Sequence, residues 1–135
     1  MELNVCVFCQ IIAGNIPSYK IYEDEQTFAF LDIAEDFVGH TLVIPKAHYE
    51  SVLDCPVPVF AAVMETVQKV SAHYVDDCGY TGVNILNASG ASAQQSVFHL
   101  HFHIVPRTET DALDMWPKGG AEMDLSEIHQ SLKMD

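Results

Sequence analysis

The chain has 135 residues, 49% of them hydrophobic, a size that suggests one domain, 1–135, around a single buried core. Nineteen acidic against six basic residues leave a net charge of −13, which argues against a nucleic-acid backbone or an anionic membrane as partner. The same field repels any phosphate ligand, so such a ligand needs local donors.

The first basic residue is Lys20, so the charged start of an export signal is missing. The longest apolar run, 56–64, is far short of the ~20 residues that span a membrane. A cytoplasmic location is expected, and with it four cysteines that serve as thiols or metal ligands rather than disulfides.

In chain order, residues 6–13 read as a short apolar helix stopped by Gly14, with a turn at Pro17-Ser18. A strand is expected over 19–22, a hairpin turn at Glu23-Asp24-Glu25, and a second strand over 27–33. Residues 39–45 form a third strand that Pro45 ends. A helical turn follows over 51–54. Residues 57–77 form the long helix: Pro58 suits its first turn and Gly79 its end. Phe60, Met64, Val67, Ser71, Tyr74 and Cys78 mark its core-facing stripe. Residues 82–87 are a strand and 87–96 a loop of small and polar residues. A last strand spans 99–105, ended by Pro106-Arg107. The tail from 108 is acidic, with a short helix over 125–132. The acidic groups, Glu35-Asp36 among them, read as solvated loops. The pattern points to an α+β fold, an antiparallel sheet covered on one face.

The distinctive stretch is His99-Leu100-His101-Phe102-His103. In a strand, residues two apart share a face, so the three imidazoles would line one wet side and Leu100, Phe102 and Ile104 one dry side. On a helix, His101 would fall on the far side. Cys6-Val7-Phe8-Cys9 offers two thiolates from one turn; it reads as half of a zinc site, as two buried thiols, or as a redox dithiol. The remaining zinc ligands would be histidines, from His40, His48 and the triad. His99 and His103 lie about 13 Å apart along a strand, so one metal cannot take both, whereas neighbours about 6.6 Å apart can share one. One end of the triad is then free for a structural zinc and the middle one for chemistry. A neutral imidazole held rigidly is a nucleophile toward phosphorus. The 87–96 loop supplies the donors a phosphate requires here: Asn87, Ser89, Gln95 and Ser96, with backbone N–H groups at Gly90 and the alanines.

These residues resemble the histidine triad (HIT) nucleotide-binding proteins, Hint-like and of the zinc-binding bacterial type. The likeness rests on the triad, on 6–14, on Phe30-Leu31-Asp32-Ile33, on 39–48 and on Gln95-Ser96-Val97-Phe98, and covers about 5–117. The resemblance implies a five-stranded antiparallel sheet with one long helix and short helices. It also implies a homodimer, joined through the long helix and a strand into a continuous ten-stranded sheet, with Trp116 near the partner's site. It makes His101 the nucleophile, His103 and His40 its supports, and Ser96 the hydroxyl that assists the leaving group. Asp32 would bind the ribose, Phe8, Phe30 and Ile33 the base, and Asn87 and Gln95 the phosphate. Cys6, Cys9, His48 and His99 would hold a structural zinc. The implied activity is hydrolysis of a purine nucleoside phosphoramidate or a related ester or anhydride. A dinucleoside polyphosphate hydrolase and a non-catalytic nucleotide sensor or adaptor are the alternatives, and a metallohydrolase using His99 and His101 is a third. His103 stands where the related uridylyltransferases carry glutamine, which favours hydrolysis over transfer. The loop departs from the family pattern: Gln94-Gln95 replaces Gly-Gln, and the loop is one residue longer than in eukaryotic Hint proteins.

Overall fold

Two five-residue strands, β2 (Thr27–Leu31) and β3 (Thr41–Pro45), are buried almost throughout, on both faces. Their near-continuous apolar or Thr-rich sequences are those of central strands with cover above and below. The computed structural model describes residues 5–134. Around this pair β1 (Lys20–Glu23), β4 (Gly82–Leu86) and β5 (Phe102–Arg107) complete one sheet in the order β1-β2-β3-β5-β4, antiparallel at every pairing. Three α-helices accompany the sheet among the described residues: α1 (Val7–Ile12), α2 (Val57–Asp77) and α3 (Leu125–Leu132). The α+β class and the five-stranded antiparallel sheet are as expected.

The cover differs from the expectation. On one face α2 packs Val63, Val67, Val70 and Tyr74 against Ala29, Val43, Leu100, Phe102 and Ile104. On the other, the N-terminal segment packs Cys6 and Phe8 against Phe28, Phe30, Leu42 and Ile44. The sheet therefore has two dry faces rather than one, because a six-residue helix places a phenylalanine over its centre. The stripe of α2 is also rotated from the expected one. Val63, Thr66, Val67, Val70 and Tyr74 are buried, whereas Phe60, Met64 and Ser71 are half-buried and Cys78 is exposed. Two hydroxyl pairs satisfy the polar atoms of this interface, Thr27 with Thr66 and Thr41 with Tyr74, each at 2.6 Å. The helix begins after Pro56, with Pro58 in its first turn. Gly79, at φ +87°, takes the left-handed conformation that ends it.

The last strand starts three residues later than predicted. His99, in a bend, and His101 lie before β5, held by separate bonds: Leu100 N–H donates to the Tyr49 carbonyl at 2.7 Å, and the Asn87 amide donates to the His101 carbonyl at 2.9 Å. The period of two survives without the ladder, since Leu100, Phe102 and Ile104 all enter the α2 core. Pro106 lies within β5 instead of ending it. β3 pairs only with positions 102–104, so beyond Ile104 the strand has one neighbour and a missing N–H is tolerated.

Three of the acidic groups read as solvated are structural. Asp24 accepts from the Gln26 and Thr27 N–H groups, the Thr27 hydroxyl and the Tyr22 hydroxyl, which closes the β1–β2 turn. Asp111 takes Arg107 through two bonds, 2.8 and 2.9 Å, and Arg107 also donates to Asn84 and to the Leu113 carbonyl. That network ties the start of the tail to β4. Asp36 belongs to the site described next. Farther on, Asp124 caps α3, in which no residue is buried. No helix among the described residues is long and apolar enough to cross a membrane.

Candidate functional site

His99 and His101 are two residues apart and hydrogen-bond in opposite senses. His99 Nε2–H donates to the Pro45 carbonyl at 2.8 Å, which leaves Nδ1 as the lone-pair nitrogen. His101 Nδ1–H donates to the His99 carbonyl at 2.8 Å, which leaves Nε2 as the lone-pair nitrogen. The first nitrogen faces two thiols and the second does not.

Around His99 Nδ1 gather His48 Nδ1 at 3.2 Å, Cys6 Sγ at 3.4 Å and Cys9 Sγ at 3.5 Å, with Cys9 Sγ 3.3 Å from His48 Nδ1. All four donor atoms lie within 4.8 Å of one another. A tetrahedral zinc with ordinary bond lengths sets its ligands about 3.3 Å apart for two nitrogens and about 3.6 Å for nitrogen and sulfur. The donor set and its spacing thus fit a closed zinc site. The Pro45 carbonyl behind His99 is the kind of orienting partner that such ligands use. Burial, then the hydrogen bond and charge of Cys6, push the Cys9 thiol up to about 11. Burial holds His99 down to about 4, against the help of the Pro45 bond and with the charges of His48 and His101. The cluster is one that a cation would relieve.

The second cluster is a chain of three hydrogen-bonded groups. His103 Nδ1 and His40 Nε2 are 2.8 Å apart, and His40 Nδ1–H reaches Asp36 Oδ1 at 2.8 Å, with Asp32 Oδ2 at 3.7 Å. The His101 and His103 rings lie 5.0 Å apart. Burial first, then the charges of His101 and His40, lower His103 to about 4. Burial also lowers His101. Both imidazoles are therefore neutral bases at neutral pH. The expected wet face is in fact dry: His99 is 0% and His101 3% exposed. The Phe8 ring stands edge-on to His99, His101 and Phe30, with centroids 5.8, 5.2 and 5.5 Å away.

Two cavities adjoin the site; no histidine lines the first, and His40 and His103 line the second. One of about 230 Å³ is lined by Val7, Phe8, Ile11, Ile16, Phe30, Asp32, Ile33 and Leu42. It unites four of the residues expected to bind substrate. Ile33 is 80% exposed at its rim, because β2 ends at Leu31 and not at 33. The other, about 370 Å³, is bounded by Asp36, Phe37, His40, Leu86, Asn87, Gln94 and His103. Ser96 is exposed on the adjoining loop.

Two expected phosphate contacts are engaged elsewhere. Gln95 is buried and donates to the Glu50 and Val97 carbonyls at 2.6 and 3.0 Å, while its Oε1 accepts from Gly90 N–H at 2.8 Å. It shapes the loop and has no amide hydrogen left for a ligand. Asn87 donates to the His101 carbonyl and accepts from the Ser89 hydroxyl at 2.7 Å. It positions the backbone of His101. The residue that the sequence reading missed is Asp36, placed among solvated acids. Its sole linear signal is that it stands four residues before His40, in a loop whose return is set by Asp32 N–H donating to the His40 carbonyl at 2.8 Å. Gln94, where the family pattern has glycine, sits at φ +69°. That left-handed conformation is why glycine is favoured there.

Residues 13–110 match the HIT domain. The chain is 44% identical over 122 residues to a HIT-like protein of Borreliella burgdorferi, covering 89% of this chain and 86% of that protein. It is 36% identical over 135 residues to adenosine 5'-monophosphoramidase HNT1 of Candida albicans, with 95% and 89% covered. A zinc-bound histidine triad family protein from Mycobacterium smegmatis superposes with a TM-score of 0.80 at 37% identity, covering 88% of this chain and 86% of that one.

Proposed function

The chain belongs to the HIT domain family, and from that premise we propose that it is a nucleotidyl hydrolase. Its substrate is a purine nucleoside phosphoramidate, or a related nucleoside phosphate ester or anhydride. The observation that carries this reading is the lone pair on His101 Nε2: the bond from Nδ1–H to the His99 carbonyl fixes the tautomer, and burial keeps the ring neutral. Nε2 attacks the α-phosphorus, the bond to the leaving group breaks, and the leaving atom takes a proton. Water then attacks the nucleotidyl-imidazole, frees the nucleoside monophosphate and returns His101 to its neutral form. The activity named for the Candida relative supports this class of reaction.

The remaining assignments follow from placement. The smaller cavity, below the ~300 Å³ usual for a whole ligand, takes the base between Phe8, Phe30 and Ile33. Asp32, which also lines it, takes ribose hydroxyls. Ser96 and the backbone of the 90–94 loop serve the phosphate and leaving group, local donors that offset the net charge of −13. Zinc on Cys6, Cys9, His48 and His99 is structural: it ties the N-terminal segment to the backbone of the nucleophile. The dimer forms through the half-buried Phe60 and Met64 of α2 and the free edge of β4, where Ile85 and Leu86 are 40% and 39% exposed. Pairing at that edge would give the ten-stranded sheet, and sedimentation at micromolar concentration tests it. For the activity, the protein is mixed with adenosine 5'-phosphoramidate and its intact mass is read after a quench that avoids acid. A nucleotidyl adduct mapping to His101 is the expected result. Turnover with no adduct, and dependent on added metal, would sink the reading.

A further inference from the structure

Asp36 and Asp32 both face His40, yet only Asp36 makes a hydrogen bond to it: 2.8 Å against 3.7 Å from Nδ1. His40 is buried at 6% exposure, and its other nitrogen meets His103 Nδ1 at 2.8 Å. The three groups form an unbroken line from a half-exposed carboxylate to the imidazole beside the nucleophile. We propose that Asp36 is a positioning residue that, through His40, sets which nitrogen of His103 carries a proton, so that His103 Nε2 works in turn as acid and as base. This rests on the hydrolase reading of His101.

The hydrogen-bond arithmetic allows two states. With His40 neutral, Asp36 holds its proton on Nδ1, Nε2 accepts from His103 Nδ1–H, and His103 Nε2 is a bare lone pair. With His40 charged, Nε2–H donates to His103 Nδ1, and His103 Nε2 carries a proton. Burial and the charges of its neighbours hold His103 down to about 4, so an imidazolium there is costly. In the second state the proton lies one residue back, on a ring whose Nδ1 is 2.8 Å from Asp36 and 3.7 Å from Asp32.

The steps balance. As the His101 Nε2–phosphorus bond forms and the bond to the leaving group breaks, His103 Nε2–H goes to the leaving atom and the His40 Nε2 proton moves to His103 Nδ1. As water attacks and the nitrogen–phosphorus bond breaks, a water proton goes to His103 Nε2 and the Nδ1 proton returns to His40. The groups facing this line are few. Asp32 and Asp36 come from the β2–β3 loop, and His101 and His103 from β5 and the residue before it. The Phe37 ring is apolar cover, 5.6 Å from the ring of His40. Asp111, which lines a cavity of about 320 Å³ with Asp36, is paired to Arg107.

The test compares Asp36→Asn and Asp36→Glu with wild type on adenosine 5'-phosphoramidate. Asp36→Asn should lower kcat about ten- to a hundredfold, part of what a positioned acid–base group supplies, and leave KM within about twofold. The pH dependence of kcat should change with it, because the carboxylate 2.8 Å from His40 Nδ1 is gone. Asp36→Glu should recover part of the rate. Wild-type kcat and pH profile in Asp36→Asn, or a change in KM alone, overturns the proposal. Failure of the hydrolase reading is separable. If wild type gives no adduct, the imidazole nitrogen shifts of His40 and His103 in ligand-free protein at pH 6 still decide: altered shifts in Asp36→Asn support the relay, and unchanged shifts overturn it.

Discussion

His99 and His101 are chemically identical side chains two residues apart, both buried, and the fold gives them opposite free nitrogens. A carbonyl on β3 takes the Nε2 proton of His99 and points Nδ1 at two thiols and His48. The His99 carbonyl accepts from Nδ1–H of His101 and leaves its Nε2 free of the thiols. The lesson is that backbone acceptors, more than side-chain identity, decide which nitrogen an imidazole leaves free. Phe8 stands against both rings.

If that division is real, each cluster should break without the other. The largest effect is expected from His101→Ala: turnover of a nucleoside phosphoramidate should fall by about 10⁴ or more. Nucleotide affinity by calorimetry and zinc content by metal analysis should both persist. Turnover retained in a clean preparation would break the comparison. Cys9→Ser should do the reverse. Zinc content should collapse and stability should drop by about 3–5 kcal/mol, read from denaturant midpoints, while the folded fraction keeps its kcat.

A pH series on metal-free protein sharpens the same point. His99 and His103 are both held at about 4 against an ordinary 6.5. Between those values the unfolded chain binds more protons, so stability is full above about pH 6.5 and is lost as pH falls toward 4. The loss is on the order of 3 kcal/mol per histidine. Urea midpoints should hold from about pH 7.5 to about 6.5 and fall from there to about 4.5, and a flat series would contradict the burial of these rings. The smallest effect concerns the loop. Gln94→Gly should raise stability by up to about 1 kcal/mol by relieving a left-handed residue at φ +69°. Thermal unfolding would register this as a rise of a few degrees, and a fall would mean that the Gln94 side chain contributes contacts of its own.

Much of the molecule was legible in the linear pattern, and the misses share one cause. The bounds of the long helix and of the tail helix, and the end of β3, came from periodicity and from proline and glycine punctuation. The His-x-His-x-His alternation and the Cys-x-x-Cys pair marked the site. The start of β5, the face of α2, the cover over the histidines and the roles of Asp36, Asn87 and Gln95 did not come through. Each depends on which backbone group a side chain meets: Gln95 on the Glu50 carbonyl 45 positions away, His99 on Pro45 54 positions away. Local pattern carries no information about partners at that separation.

By itself, then, the sequence determined the alternation that sends Leu100, Phe102 and Ile104 to one side and three imidazoles to the other, because that period is a property of extended backbone. Only the tertiary structure decided which imidazole faces the thiols, which turns its free nitrogen away from them and which carboxylate stands behind His40. Those roles are set by hydrogen bonds and burial from strands, loops and a short helix that meet only when the chain is folded.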